Sequence, residues 1–146
     1  MYDSLTPQDV PPGHVVATYA DGGHPVSPAA ATSARRVLWI DVIGTDPAAS
    51  VLDIEPGAAS PSIAPGWVSK RLTKDPHTVA IMYTSISEWS QVQAAVSSLP
   101  AWMQSRIRWW IADPTGSPHI VPGSDATQWY WGPTYDLSTV LPGKGF

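Results

Sequence analysis

The chain has 146 residues, of which 43% are hydrophobic and 14% charged, and its formal net charge is −4. This length and composition predict one globular domain over residues 1–146 and argue against intrinsic disorder. The acidic balance gives no support for nucleic-acid binding, and the apolar runs are too short to span a membrane. The absence of cysteine excludes disulfides and thiolate metal ligands.

The first residues carry no sign of a secretory leader. Met1–Ser4 contains no basic region followed by an apolar run. We therefore expect a soluble protein that is either cytoplasmic or released without a cleaved leader.

Short apolar segments bounded by turn residues predict seven strands. The segment from Val37 hardly alternates between apolar and polar residues, which is typical of a strand buried on both faces. In chain order the predicted strands are Val15–Tyr19, Val37–Ile43, Ser50–Glu55, Thr78–Tyr83, Ile107–Ala112, Gln128–Trp131 and Tyr135–Leu137.

Three helices are predicted between these strands. The first follows Ser27 as N-cap and Pro28 as first helical residue and continues to Arg36. The second covers residues 66–74. The third runs over residues 87–99 with Ser87 as N-cap, because apolar residues recur there at helical spacing.

Apolar strands that alternate with helices favour a parallel α/β sheet. We predict a reduced (β/α) TIM-like barrel in which loops replace some helices, because a full barrel usually needs about 200 residues or more. The alternative is an open parallel α/β sheet.

The segment Leu52–Gly57 carries the clearest candidate chemistry. Asp53 and Glu55 are two residues apart near the carboxyl end of an apolar strand, so both project from the same face. In α/β folds this end of the strands holds the active site. Two close carboxylates push their pKa values apart, which suits one acid and one base or stabiliser. The alternative is that both acids lie in solvent at the strand end, or that one of them caps the following turn.

Other aspartates also lie in or just after predicted strands. Asp41 is inside the most apolar run, where a buried carboxylate needs a partner, whereas Asp113 precedes Pro114 and fits a turn. The remaining members of this group are Asp3, Asp21 and Asp136. The sequence alone leaves open which of them join Asp53 and Glu55.

The chain has no pattern for a metal or a cofactor. Its four histidines lack metal-ligand spacing, no glycine-rich phosphate loop is present, and no glycine elbow flanks Ser85 or Ser87. We therefore expect neither metal nor cofactor. The eight tryptophans serve either the core or a cleft that stacks on sugar rings.

Several motifs, taken in order, resemble those of glycoside hydrolase family 25 lysozymes and their small actinobacterial and phage relatives. The Asp-x-Glu strand corresponds to Leu52–Glu55, and the opening strand to Tyr2–Ser4. The other matching segments are Ile81–Ser85 with Trp89, Trp110–Ala112, Gln128–Tyr130 and Tyr135–Ser138. The chain departs from the family in its length and in Asp113, where an aromatic residue is expected.

The resemblance implies cleavage of the β-1,4 bond between N-acetylmuramic acid and N-acetylglucosamine in peptidoglycan. It implies that Glu55 is the general acid and Asp53 the stabiliser, and a pair of carboxylates is what such chemistry needs. Residues implied to bind substrate are Asp3, Asp136, Tyr83, Trp110 and Gln128. The expected partner is peptidoglycan or another polysaccharide.

Two other interpretations stay open. One is a non-catalytic structural or glycan-binding domain on the same scaffold, for example in a phage particle beside other virion proteins. The other is an unrelated open α/β sheet with scattered acids at its strand ends.

Overall fold

Eight strands close into one barrel in this mixed α/β protein. The computed structural model describes the whole chain, Met1–Phe146. Strands follow one another around the barrel in chain order, and the last pairs with the first. This closure excludes both open-sheet interpretations. The strands are β1 (Tyr2–Asp3), β2 (Val15–Tyr19), β3 (Arg36–Asp41), β4 (Val51–Ile54), β5 (Ala80–Ser85), β6 (Ile107–Ala112), β7 (Ala126–Tyr130) and β8 (Asp136–Val140).

The first seven strands are parallel, as predicted, and β8 runs antiparallel to both of its neighbours. The reversal follows from the short link at residues 131–135. A short link can join antiparallel strands, whereas a parallel pair needs a crossover of roughly a dozen residues or more. The carboxyl ends of β1–β7 and the start of β8 therefore meet at one mouth of the barrel.

Three α-helices pack outside the barrel: α1 (Ala64–Lys74), α2 (Trp89–Val96) and α3 (Ala101–Gln104). The helix predicted over residues 66–74 is confirmed and begins two residues earlier. The predicted helix over residues 87–99 is shorter in the structure. Ser87 does not cap it, because its Oγ lies 2.9 Å from Ser85 Oγ and the N-cap is Glu88.

The helix predicted from Ser27 to Arg36 was wrong in extent. Ser27 does cap, accepting a hydrogen bond from the Ala29 N–H, but only a 3₁₀ turn forms, over Pro28–Ala31. The following Thr32 and Ser33 have low helix propensity, and Arg36 already belongs to β3. A loop therefore replaces a helix here.

Two apolar layers hold the barrel together. Side chains such as Leu38, Ile40 and Ile81 fill its interior. A second layer lies between β4–β6 and the helices and includes Trp67 and Val92. Burying one large apolar side chain contributes about 1.5–3 kcal/mol, so the filled interior gives the mouth a rigid base.

No helix is long and apolar enough to cross a membrane.

Candidate functional site

Strand alternation in β4 directs its carboxylates toward the barrel mouth. Val51 belongs to the interior layer, whereas Leu52 and Ile54 pack outward against the helices. Asp53 shares the interior side with Val51 because side chains alternate along a strand. Glu55 follows directly after the strand, half-buried, and its charge acts on Asp53.

Three separate strands bring four carboxyl groups together at this mouth. The β1–β8 register sets Asp3 opposite Asp136, and Asp3 lies close enough to Asp53 for that charge to affect its pKa. With Glu55 these residues form what we call the acidic floor. The two ion pairs of the protein involve His119 and Lys144, neither of which contacts the acidic floor.

Burial is the main cause of the raised pKa values in the acidic floor. It raises the pKa of Asp3 to about 8, with further contributions from the charges of Asp136 and Asp53. Burial also raises the pKa of Asp53 to about 7, aided by the charge of Glu55. Asp3 therefore holds its proton at neutral pH, and Asp53 is divided between its two forms.

The pKa values of the two less buried carboxyl groups, Glu55 and Asp136, are also raised. Burial raises the pKa of Glu55, and the charge of Glu88 raises it further. Burial also raises the pKa of Asp136, although a hydrogen bond from the Gly132 N–H offsets part of that effect. Raised carboxyl pKa values are what a general acid requires near neutral pH.

A hydrogen-bond network centred on Gln128 supports the acidic floor. The Tyr83 hydroxyl and the Trp131 indole N–H both donate to Gln128 Oε1, over 2.7 and 2.8 Å. Gln128 Nε2 donates to Asp3 Oδ2 over 3.3 Å, and the Tyr19 hydroxyl approaches the same oxygen at 3.5 Å. This network fixes one side of the Asp3 carboxyl group.

One oxygen of Asp3 and one oxygen of Asp53 lack a partner. Asp3 Oδ1 and Asp53 Oδ1 are buried and have no hydrogen-bond partner within the protein. An unpaired buried polar atom is costly, and the cost is greatest for a charged carboxylate. This accords with the raised pKa of both carboxyl groups.

Two residues expected to bind substrate lie beneath the floor. Trp110 and Gln128 are fully buried. The Trp110 indole N–H donates to Ser138 Oγ over 3.0 Å, and its ring meets Tyr83 edge-on at 4.7 Å. Contact of Trp110 or Gln128 with a ligand would need a solvent-facing surface, which neither has, so both support the site from below. Tyr83 is also buried.

Asp41 lies on the outer face of β3, where its carboxylate accepts hydrogen bonds that stabilise the fold. It is fully buried, and its Oδ2 accepts hydrogen bonds from the Asp46 N–H over 2.7 Å and from Trp67 Nε1 over 2.9 Å. These bonds supply the partners that its burial requires, and they keep Asp41 out of the acidic floor.

The carboxylates of two further strand-end aspartates also have partners outside the acidic floor. Asp21 Oδ1 accepts a hydrogen bond from the Val42 N–H over 2.7 Å. Asp113 Oδ2 lies 3.0 Å from His119 Nε2. The four acids of the floor are therefore a selected subset of the strand-end acids.

A trough of about 480 Å³ extends from Asp3 and Asp136. Its walls are the loop after β1, around Ser4–Thr6, and the loop before β8, Gly132–Tyr135. Asp53 and Glu55 do not line this trough. Asp3 connects it to them, because Asp3 lines the trough and lies close enough to Asp53 for that charge to raise its pKa.

Exposed apolar side chains surround the mouth. Each of them follows the carboxyl end of a strand: Leu5 after β1, Ile43 after β3, Ile86 after β5 and Trp131 after β7. The sequence left Trp131, like the other tryptophans, open between core and cleft, and it did not single out Tyr19. The only local signal for Trp131 is its place before Gly132-Pro133.

No group of three or more histidine, aspartate or glutamate side chains is arranged to hold a metal ion. The chemistry available to the acidic floor is proton transfer and charge stabilisation by carboxyl groups.

Comparison with family models, curated proteins and solved structures finds no match.

Proposed function

We propose that this protein is a peptidoglycan-directed glycoside hydrolase that cleaves the β-1,4 bond between N-acetylmuramic acid and N-acetylglucosamine. The observation that carries the proposal is the acidic floor, in which Asp53 and Glu55 meet Asp3 and Asp136 at the mouth of a barrel. Glycosidic cleavage needs a proton donor beside a second carboxylate, and no basic side chain forms an ion pair with these groups.

In this proposal Glu55 donates the proton to the leaving oxygen. It is half-buried, and burial raises its pKa, so more of it stays protonated near neutral pH. Repulsion between neighbouring carboxylates favours states in which Asp53 and Glu55 share one proton. Because the pKa of Asp53 is itself about 7, the reacting state is the one in which the shared proton is on Glu55. In that state the ionised Asp53 stabilises the positive charge that develops on the sugar ring.

The scaffold we propose is a reduced (β/α) TIM-like barrel similar to that of glycoside hydrolase family 25. Seven parallel strands in chain order support it, as do the helices that follow β4 and β5. Loops stand where the other helices of a full barrel would be. The acids at the carboxyl ends of the strands match the place of active sites in that architecture.

The test is release of reducing ends from purified peptidoglycan. We expect wild-type protein to release them and Glu55→Gln to lose about 100-fold or more of the rate, because the amide cannot donate the proton. The matched control is Asp75→Asn, which makes the same carboxylate-to-amide change at an exposed acid just beyond the end of α1. Circular dichroism must give the same fold for all three proteins. Equal rates for wild type and Glu55→Gln would refute the catalytic assignment.

The exposed apolar rim favours a second candidate, a non-catalytic glycan-binding or structural domain, for example in a virion. Flat and aliphatic surfaces around an acidic floor suit binding of sugar rings without turnover. Retention of folded wild-type protein on insoluble peptidoglycan, without release of reducing ends, would favour this candidate.

A further inference from the structure

A β-bulge in β7 turns one tryptophan toward the barrel mouth. Gln128 pairs with Ser138 on the interior side, yet Tyr130 pairs with Leu137, so one extra residue lies in β7 between these pairs. An extra residue reverses the alternation of the side chains that follow it. Trp131 therefore returns to the side of Gln128.

Two contacts hold Trp131 in place. Its indole N–H donates to the fully buried Gln128 Oε1 over 2.8 Å. The next residue, Gly132, donates its N–H to Asp136 Oδ1 over 2.9 Å. A Cβ atom at Gly132 would lie 2.4 Å from the Tyr135 carbonyl oxygen, so only glycine lets the chain turn this closely.

The indole is nevertheless 59% exposed, the largest exposure among the large apolar side chains. Burying the rings of an exposed tryptophan against an apolar surface is favourable. Because the indole N–H of Trp131 is already bonded, the flat face of the ring is the part left to contact a ligand. Trp131 also directly precedes the trough-lining residues Gly132–Asp136. Gln128, which accepts the indole bond, also donates to Asp3 Oδ2. The indole is therefore connected to the acidic floor through a single side chain, at the point where the chain enters the wall of the trough.

We propose that Trp131 is a preorganised stacking platform for one pyranose ring of a β-1,4-linked N-acetylhexosamine chain. The C–H face of the ring packs on the indole, and neighbouring units extend over the acidic floor. Because the Gln128 bond fixes the indole before binding, little conformational entropy is lost when the sugar arrives. This inference rests on the proposed glycan substrate and adds a specificity-determining residue outside the acidic floor.

The test measures binding of an N-acetylated chitohexasaccharide by titration calorimetry, with every variant built on Glu55→Gln so that hydrolysis plays no part. We expect Trp131→Ala to weaken binding roughly tenfold or more. We expect Trp131→Phe to be intermediate, because phenylalanine keeps a flat face but cannot bond Gln128. The matched control is Trp102→Ala, which removes a 47% exposed tryptophan that lies on α3, away from the strand ends that form the mouth.

The outcomes separate this inference from the proposed reaction. Unchanged affinity of Trp131→Ala, equal losses in Trp131→Ala and Trp102→Ala, or no binding by any variant would each overturn the platform. Loss confined to Trp131→Ala, with no reducing ends released by wild type, would retain the platform and reject the hydrolase.

Discussion

Asp3 is only 5% exposed, and this burial makes the free energy of unfolding depend on pH. Its pKa is about 8 in the folded protein against an ordinary value of 3.8. Between these pH values the folded protein keeps a proton that the unfolded chain has released. Since the unfolded state then binds fewer protons, the free energy of unfolding falls as pH rises from about 4 to about 8. Asp53 acts in the same direction up to about pH 7.

We expect Asp3→Asn to remove the Asp3 contribution to this pH dependence and to leave that of Asp53, because the amide stays neutral and can still accept the bond from Gln128. Above pH 8 the variant should be more stable than wild type by on the order of a few kcal/mol, and near pH 4 the two should be similar. Urea unfolding at pH 4, 6 and 8.5 measures this. Asp9→Asn, which removes an exposed acid of the same trough, should keep the wild-type slope. Parallel slopes for Asp3→Asn and wild type would contradict the argument.

Individual residues were predictable from sequence where strand periodicity alone decides direction. Asp53 lies on the interior side because it is two residues from Val51 in β4, and Asp136 could be identified as a strand-end acid. Trp131 could not be predicted, since its direction depends on a bulge that exists only in the pairing with β8. The support of Asp3 by Tyr19 likewise depends on strand pairing, because Tyr19 lies two residues beyond Ala17, the partner of Asp3 in β2.

At the scale of elements, β3 and α1 are joined through one buried carboxylate. Asp41 on β3 accepts the Trp67 indole N–H from α1 and backbone N–H groups from the loop that follows β3. Removing the carboxylate leaves several buried donors without an acceptor, which costs more than the loss of one ordinary hydrogen bond.

We therefore expect Asp41→Ala to lower the free energy of unfolding by about 3 kcal/mol. Its control, Asp46→Ala, removes only a side-chain bond to the exposed Ala48 N–H and should cost less than about 1 kcal/mol. Urea unfolding at one pH compares the two. A loss for Asp41→Ala no larger than that for Asp46→Ala would show that the carboxylate does not join these elements.

The first and last residues of a strand or helix could be predicted where a single sequence pattern decides them. The limits of β2 and β6 were predicted to the residue, because turn residues or polar residues bound a clear apolar run. The segment after Ser27 shows the opposite case. Its cap and alanines favour a helix, but the nearby entry into β3 leaves room for only one turn. Such a limit comes from tertiary structure and not from local propensity.

The whole molecule is built asymmetrically. The helices and the larger buried layer cover β4–β6, whereas the barrel is closed by β1, which contributes only Tyr2–Asp3 to its ladders with β2 and β8. Strands with short ladders and little apolar cover open more readily than strands in a packed core. The junction of β1 and β8, which we call the seam, is therefore the weakest part of the barrel, and the acidic floor crosses it from Asp3 to Asp136.

Hydrogen exchange should detect this seam. We expect amides such as Ser138, whose N–H donates to the Met1 carbonyl, to exchange about tenfold or more faster than amides of β5. A ligand that bridges Asp3 and Asp136 binds only the closed seam, so a saturating N-acetylated chitohexasaccharide added to Glu55→Gln should slow the seam amides more than those of β5. Equal slowing at both places would mean that the barrel opens as a single unit. No slowing at the seam under saturating ligand would mean that the ligand does not cross it, because any ligand held by both acids must keep β1 and β8 paired.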